Sequence, residues 1–164
     1  MSQEVDFSEF RRVFENLEGV KDQIPEIKKE MLDQLGGEML SVVRRNIGGE
    51  GKVKSWQEYY IGSRHGYSAV RPKADTYLHT KGVYQTTEND KFAVGHVTNA
   101  IETGHRIRSP SGQATGRYRP RIHQPRIPGR YFYRSSQSAV DRLAENGAKD
   151  LAEKIARKIE EAAK

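Results

Sequence analysis

Between Glu102 and Asp141 the sequence contains no acidic residue, and the same span holds Pro110, Pro120, Pro125 and Pro128 together with Gly112 and Gly116. A stretch broken up in this way continues neither a helix nor a central strand. Proline lacks an amide N–H and clashes in a helix, while glycine loses the most backbone entropy on ordering. The chain must therefore build its core from the flanks. Residues 106–128 are expected to form a long loop, and loops of that length in compact domains are functional or disordered until bound.

Both flanks carry helical periodicity. Asp6 to Leu17 reads as a short helix, with Asp6 as cap, Glu9 three residues on, and Gly19 as the stop. Phe7, Phe10, Phe14 and Leu17 share one face of it. A longer helix is expected from Asp22 to about Ile47, with Pro25 in its first turn, where an amide has no partner anyway. Its stripe is Ile24, Ile27, Met31, Leu35, Met39 and Val43. Gly36 and Gly37 interrupt it at roughly 1 kcal/mol each relative to alanine, so either something packs closely there or the helix bends. Gly48, Gly49 and Gly51 end it. A closing helix is expected from Ser138 to Lys164, with Val140, Leu143, Leu151, Ile155 and Ile159 on one face.

The middle has strand chemistry. Trp56, Tyr59, Tyr60 and Ile61 favour a strand, as do Thr80 to Thr87 and Lys91 to Val97, with Thr87 to Asp90 as the turn between the last two. Arg71-Pro72 breaks any strand it touches. Helix, helix, sheet, helix predicts an α+β fold. The expectation is one domain over residues 1–164, in which a long N-terminal and a C-terminal helix pack on a small antiparallel sheet. The stripes through Leu35 and Ile155 should both be buried.

Composition narrows function. Hydrophobic residues make up 35% and charged residues 30% of the chain, and mean hydropathy is −0.85. Such a chain has a modest core, and much of it is solvated, disordered or buried against other subunits. Cysteine is absent, which excludes disulfides, thiol nucleophiles and thiolate-bound zinc and suits a reducing cytoplasm. The polar opening Met1-Ser2-Gln3-Glu4 predicts no signal peptide, and no apolar run approaches the ~18 residues of a membrane span. His65, His79, His96, His105 and His123 show no helix-spaced ligand pair, so no metal is expected. Gly62-Ser63 and Ser111-Gly112 are not nucleophile elbows, and Gly48-Gly49-Glu50-Gly51 lacks the lysine and hydroxyl of a phosphate loop. No enzyme chemistry and no cofactor is expected.

The arginines are the sharp signal. Arg106, Arg108, Arg117, Arg119, Arg121, Arg126, Arg130 and Arg134 all fall in the acid-free stretch. These eight exceed the formal net charge of +6, so the remainder of the chain sums to −2. The guanidinium fork suits carboxylates and phosphates and stacks on rings such as Tyr118, Tyr131, Phe132 and Tyr133. Three roles follow from these residues: pairing with acidic faces of neighbouring subunits, sequence-independent contact with DNA, or a solvated loop.

Two segments then resemble a known family. Ala100-Ile101-Glu102-Thr103-Gly104 is similar to an element of the neck, or tail-completion, family of lambda-like tailed bacteriophages, in which an apolar strand ends in Glu and Gly ahead of a basic loop. Pro128-Gly129-Arg130-Tyr131-Phe132-Tyr133-Arg134 resembles the element that leads into that family's last helix. Glu102, Gly104, Gly129 and Phe132 are the motif positions. The order of elements agrees over most of the chain. Gly49 to Trp56 departs from the family's usual pattern, and the basic loop is longer, as in contractile-tailed phages and phage-derived tail particles. The resemblance implies a non-enzymatic ring subunit, sixfold to match the tail, made in the bacterial cytoplasm and placed in the virion neck between the head-side connector and the tail terminator, bordering packaged DNA. The alternative is a DNA-binding protein without sequence preference, acting through the arginine loop.

Overall fold

The computed structural model describes residues 8–49, 51–79, 91–106 and 126–164. Along them run α1 (Ser8–Ile47), β1 (Gln57–Ile61), β2 (Ser68–Pro72), β3 (Tyr77–His79), β4 (Lys91–Ala93), α2 (Val94–Thr103), β5 (Gly104–Arg106), β6 (Arg126–Pro128) and α3 (Phe132–Ala162), with single turns of tighter helix at Lys52–Lys54 and Ser63–His65. The class is α+β. The chain divides into two compact units, each built from separated stretches: the first from Met1–Ser41, Tyr59–Ala69 and Ser138–Lys164, the second from Val42–Glu58 and Val70–Gln137.

The two helices expected at the N-terminus are one. Gly19 does not stop α1, and Pro25 lies in its interior. Val20 and Ile27, on either side of the proline, are only 8% and 6% exposed. Burying the two contributes about 3–6 kcal/mol together, comparable to the combined cost of about 4 kcal/mol for the glycine and the proline. Asp6 and Phe7 lie outside the described residues, and Phe14 is exposed. At the far end Gly48 and Gly49 take positive φ, the left-handed closure that glycine permits.

In the first unit α3 runs antiparallel to α1. Asn16 Nδ2 donates to the Ala162 carbonyl (3.3 Å), Lys158 Nζ to Gln23 Oε1 (2.8 Å) and Lys154 Nζ to Glu30 Oε2 (3.2 Å). The tip of the β1–β2 hairpin packs on α1 at Gly36, where an added Cβ would stand 2.5 Å from the Tyr59 ring and 2.6 Å from Ser68 Oγ. Tyr59 Oη donates to Asp33 Oδ1 at 2.8 Å. Close packing is thus the reason for that glycine. The apolar stripes are less buried than expected: Leu35, Leu143, Leu151 and Ile155 are half-buried, and Ile159 is 44% exposed. Gly147 faces Met31 without a side chain. A groove of about 350 Å³ runs past both, lined also by Ile27, Leu35, Leu143 and Leu151.

The core of the second unit is Val43, Ile47 and Phe132, with Val53, Val70, Ile101 and Tyr133 packed around it. Three two-stranded ribbons, β1–β2, β3–β4 and β5–β6, stand where a single sheet was expected. The strands have three to five residues, too short to align into one sheet across the intervening turns and helix. β2 ends on Pro72, which cannot donate to a ladder. Of the expected hairpin, 80–90 lie outside the described residues.

Lys91 to Val97 is strand only as far as Ala93; Val94 begins a helix. The buried face of α2 is Val94, Thr98 and Glu102, spaced by four. Two of the three are polar, so the period is invisible to an apolar pattern. The segment ending in Glu102 and Gly104 is therefore the end of a helix and not of a strand. α3 likewise starts at Phe132, six residues before Ser138, with Phe132 and Ser136 buried.

A cationic stem on a buried carboxylate clamp

Glu102 lies in the last turn of α2 and is only 8% exposed. Its two carboxylate oxygens accept the backbone N–H groups of Tyr133 and Arg134, each at 3.2 Å. Those amides belong to the first turn of α3, which has no partners inside the helix. The carboxylate satisfies them and meets the positive end of the helix dipole. The neighbouring backbone closes the same joint: Arg130 N–H donates to the Ile101 carbonyl at 2.9 Å and Tyr131 N–H to the Glu102 carbonyl at 3.0 Å.

The two motif glycines meet in this joint. Gly104 has φ +79°, and an added Cβ would lie 2.4 Å from the Ile127 carbonyl oxygen and 2.6 Å from Gly129 N. A Cβ on Gly129 would lie 2.3 Å from the Glu102 carbonyl oxygen. Phe132, 1% exposed, anchors the joint in the core. Glu102, Gly104, Gly129 and Phe132 are thus brought together. Polar bonds surround them: Tyr133 Oη donates to Gln57 Oε1, Asn46 Nδ2 to Ser136 Oγ at 2.8 Å, and Arg44 to the carbonyls of Lys54 (3.2 Å) and Gln57 (2.9 Å). Burial, and then the charge of Glu102, push the Tyr133 hydroxyl up to about 12.

From the joint rises the antiparallel ribbon β5–β6, with Gly104 opposite Pro128, His105 opposite Ile127 and Arg106 opposite Arg126. Arg106 and Arg126, expected within the loop, are strand residues. The loop proper, with Arg108, Arg117, Arg119 and Arg121, lies outside the described residues. Directly opposed residues project from one face with Cβ atoms about 4.5–5.5 Å apart, where like charges repel. Arg106, Arg126, Arg130 and Arg134 are all exposed. Among the described residues none of the four is in an ion pair. A concentrated cation, solvated and mounted on a rigid joint, attracts carboxylates or phosphates.

The capping role of Glu102 was not legible locally, since its partners lie 31 and 32 residues on. The sequence clue was negative: no Ser, Thr, Asp or Asn directly precedes Phe132. Among the described residues no cluster of three or more His, Asp and Glu could hold a metal, and no helix is long and apolar enough to cross a membrane. No family model, no curated protein and no solved structure matches this chain.

Proposed function

We propose that this chain is a non-catalytic assembly protein, a ring subunit at the head–tail junction of a tailed phage or phage-like particle. In this reading it sits between the connector and the tail terminator, and its arginines meet carboxylates of neighbouring subunits. The observation that carries the reading is the joint. Residues 102, 104, 129 and 132, which lie on two segments resembling that family's elements, converge on one buried clamp, and the clamp presents the cationic stem to solvent. Such a clamp sets the base of an arm without chemistry of its own, which is what an assembly contact needs. Co-expression with the flanking connector and tail terminator proteins, followed by affinity capture and imaging, tests it. The chain should co-purify with at least one of them as a closed ring. Failure to associate with either would remove the proposal.

The opposed pair Arg106 and Arg126 favours a second reading, DNA contact without sequence preference. That affinity would fall steeply with salt, because releasing counterions into a more concentrated solution gains less entropy. Gel-shift titrations on unrelated duplexes at two salt concentrations distinguish it. Tight, salt-resistant, sequence-selective binding would be incompatible with both readings.

A further inference from the structure

The arginines of the second unit call for an anionic counterpart, and the first unit offers one made of protein. By sequence the first unit holds 16 acidic and 12 basic residues, a formal charge of −4, and the second 16 basic and 6 acidic residues, a formal charge of +10. Inside the first unit the groove between α1 and α3 has an apolar floor and an acidic rim of Glu30, Glu38 and Asp150. The one cation lining it, Lys154, is paired with Glu30 at 3.2 Å. Glu38 accepts from the neutral Gln34 at 3.0 Å. Neither Glu38 nor Asp150 is in an ion pair among the described residues.

We infer that this groove is the docking site for the cationic stem of a second copy of the chain, Arg106 and Arg126 engaging Glu38 and Asp150. The inference rests on the ring-subunit reading for its setting and names the interface that would build the ring. The occupant follows from charge complementarity. Two carboxylates with no cation paired to them among the described residues rim an apolar cleft, and two opposed arginines with no anion paired to them among the described residues stand on an exposed ribbon of the same chain. Docking relieves the repulsion within the ribbon and covers Leu35, Leu143 and Leu151. Because the two surfaces differ, the contact is head-to-tail, the kind that closes into a ring or propagates as a filament.

A charge exchange tests it. One variant carries Glu38→Arg and Asp150→Arg, the other Arg106→Glu and Arg126→Glu. Native mass spectrometry at low ionic strength should show the wild type self-associating, less so as salt rises. An exposed pair contributes up to about fivefold to an equilibrium constant, so each variant alone should associate about tenfold or more weakly. An equimolar mixture should regain association, as complexes containing both, because each reversed surface now meets its complement. A wild type that stays monomeric, a variant that associates normally, or a mixture that stays dissociated would each overturn the inference; so would a monomeric wild type that binds duplex DNA through the stem. If thermal melts show a reversed variant unfolded, Glu38→Gln with Asp150→Asn and Arg106→Gln with Arg126→Gln replace the pair. Each must then weaken association, and unchanged association refutes the interface. Capture by the connector without charge-exchange rescue would sink the groove and spare the neck reading. Rescue without capture by connector or terminator would do the reverse.

Discussion

Glu102 shows how much one side chain can organise. A buried carboxylate is costly unless its lone pairs are filled, and here two amides of a helix terminus fill them at 3.2 Å. Glu102→Ala leaves both amides unpartnered and should destabilise by about 2–4 kcal/mol in urea unfolding, while Glu102→Gln, which keeps an acceptor, should cost about 1. The glycines of α1 give opposite expectations at adjacent positions. Gly36→Ala drives a methyl into the Tyr59 ring and should destabilise, whereas Gly37 has nothing within 4 Å, so Gly37→Ala should stabilise by about 0.5–1 kcal/mol. Tyr133 makes the pH expectation. Its hydroxyl is raised to about 12 in the fold from 10.0, so its neutral form is the one the fold favours. That contribution is complete below about pH 10 and is lost as pH rises towards 12. Tyr133→Phe should flatten this alkaline limb relative to wild type, measured as urea midpoints across the range.

At the scale of elements, α3 has two unequal ends. Phe132 is sealed in the core of the second unit at 1% exposure, and Phe132→Ala should cost about 3–5 kcal/mol through lost burial and a cavity. Leu151 sits half-buried on the groove, and Leu151→Ala should cost about 1 kcal/mol, since little new void forms there. Equal losses in thermal melts would contradict the open groove. α1 and α2 show why periodicity succeeds in one place and fails in another. In α1 the buried Ile27, Met39 and Val43 are apolar and fall on the expected stripe, although Gly19 made one helix read as two. In α2 the buried positions are Val, Thr and Glu, and the segment read as a strand.

For the whole molecule, charge is sorted between the units: the second carries the eight arginines of the acid-free stretch and the first an excess of acid. Sorting of this kind governs association more than folding. Replacing Arg106 and Arg126 together by alanine should therefore shift Tm by no more than about 2–4 °C, because two exposed substitutions together fall within about 1 kcal/mol. The same double variant should fail to enter a neck or tail particle in a co-assembly assay. A large fall in Tm would make these arginines part of the fold instead.

By itself the sequence determined the class, the long terminal helices, the glycine closure of α1, and the concentration of positive charge in an acid-free stretch. Each of these is a local property: a period, a breaker, a count of charges. Only the tertiary structure decided that the N-terminal helix is continuous, that three ribbons replace one sheet, that α3 begins at Phe132, and that Glu102, Gly104 and Gly129 form one joint. The physical reason is separation along the chain. The carboxylate and the amides it caps lie some thirty residues apart, and the glycines are required by backbone that arrives from the far side of the arginine stretch. No local pattern encodes either contact.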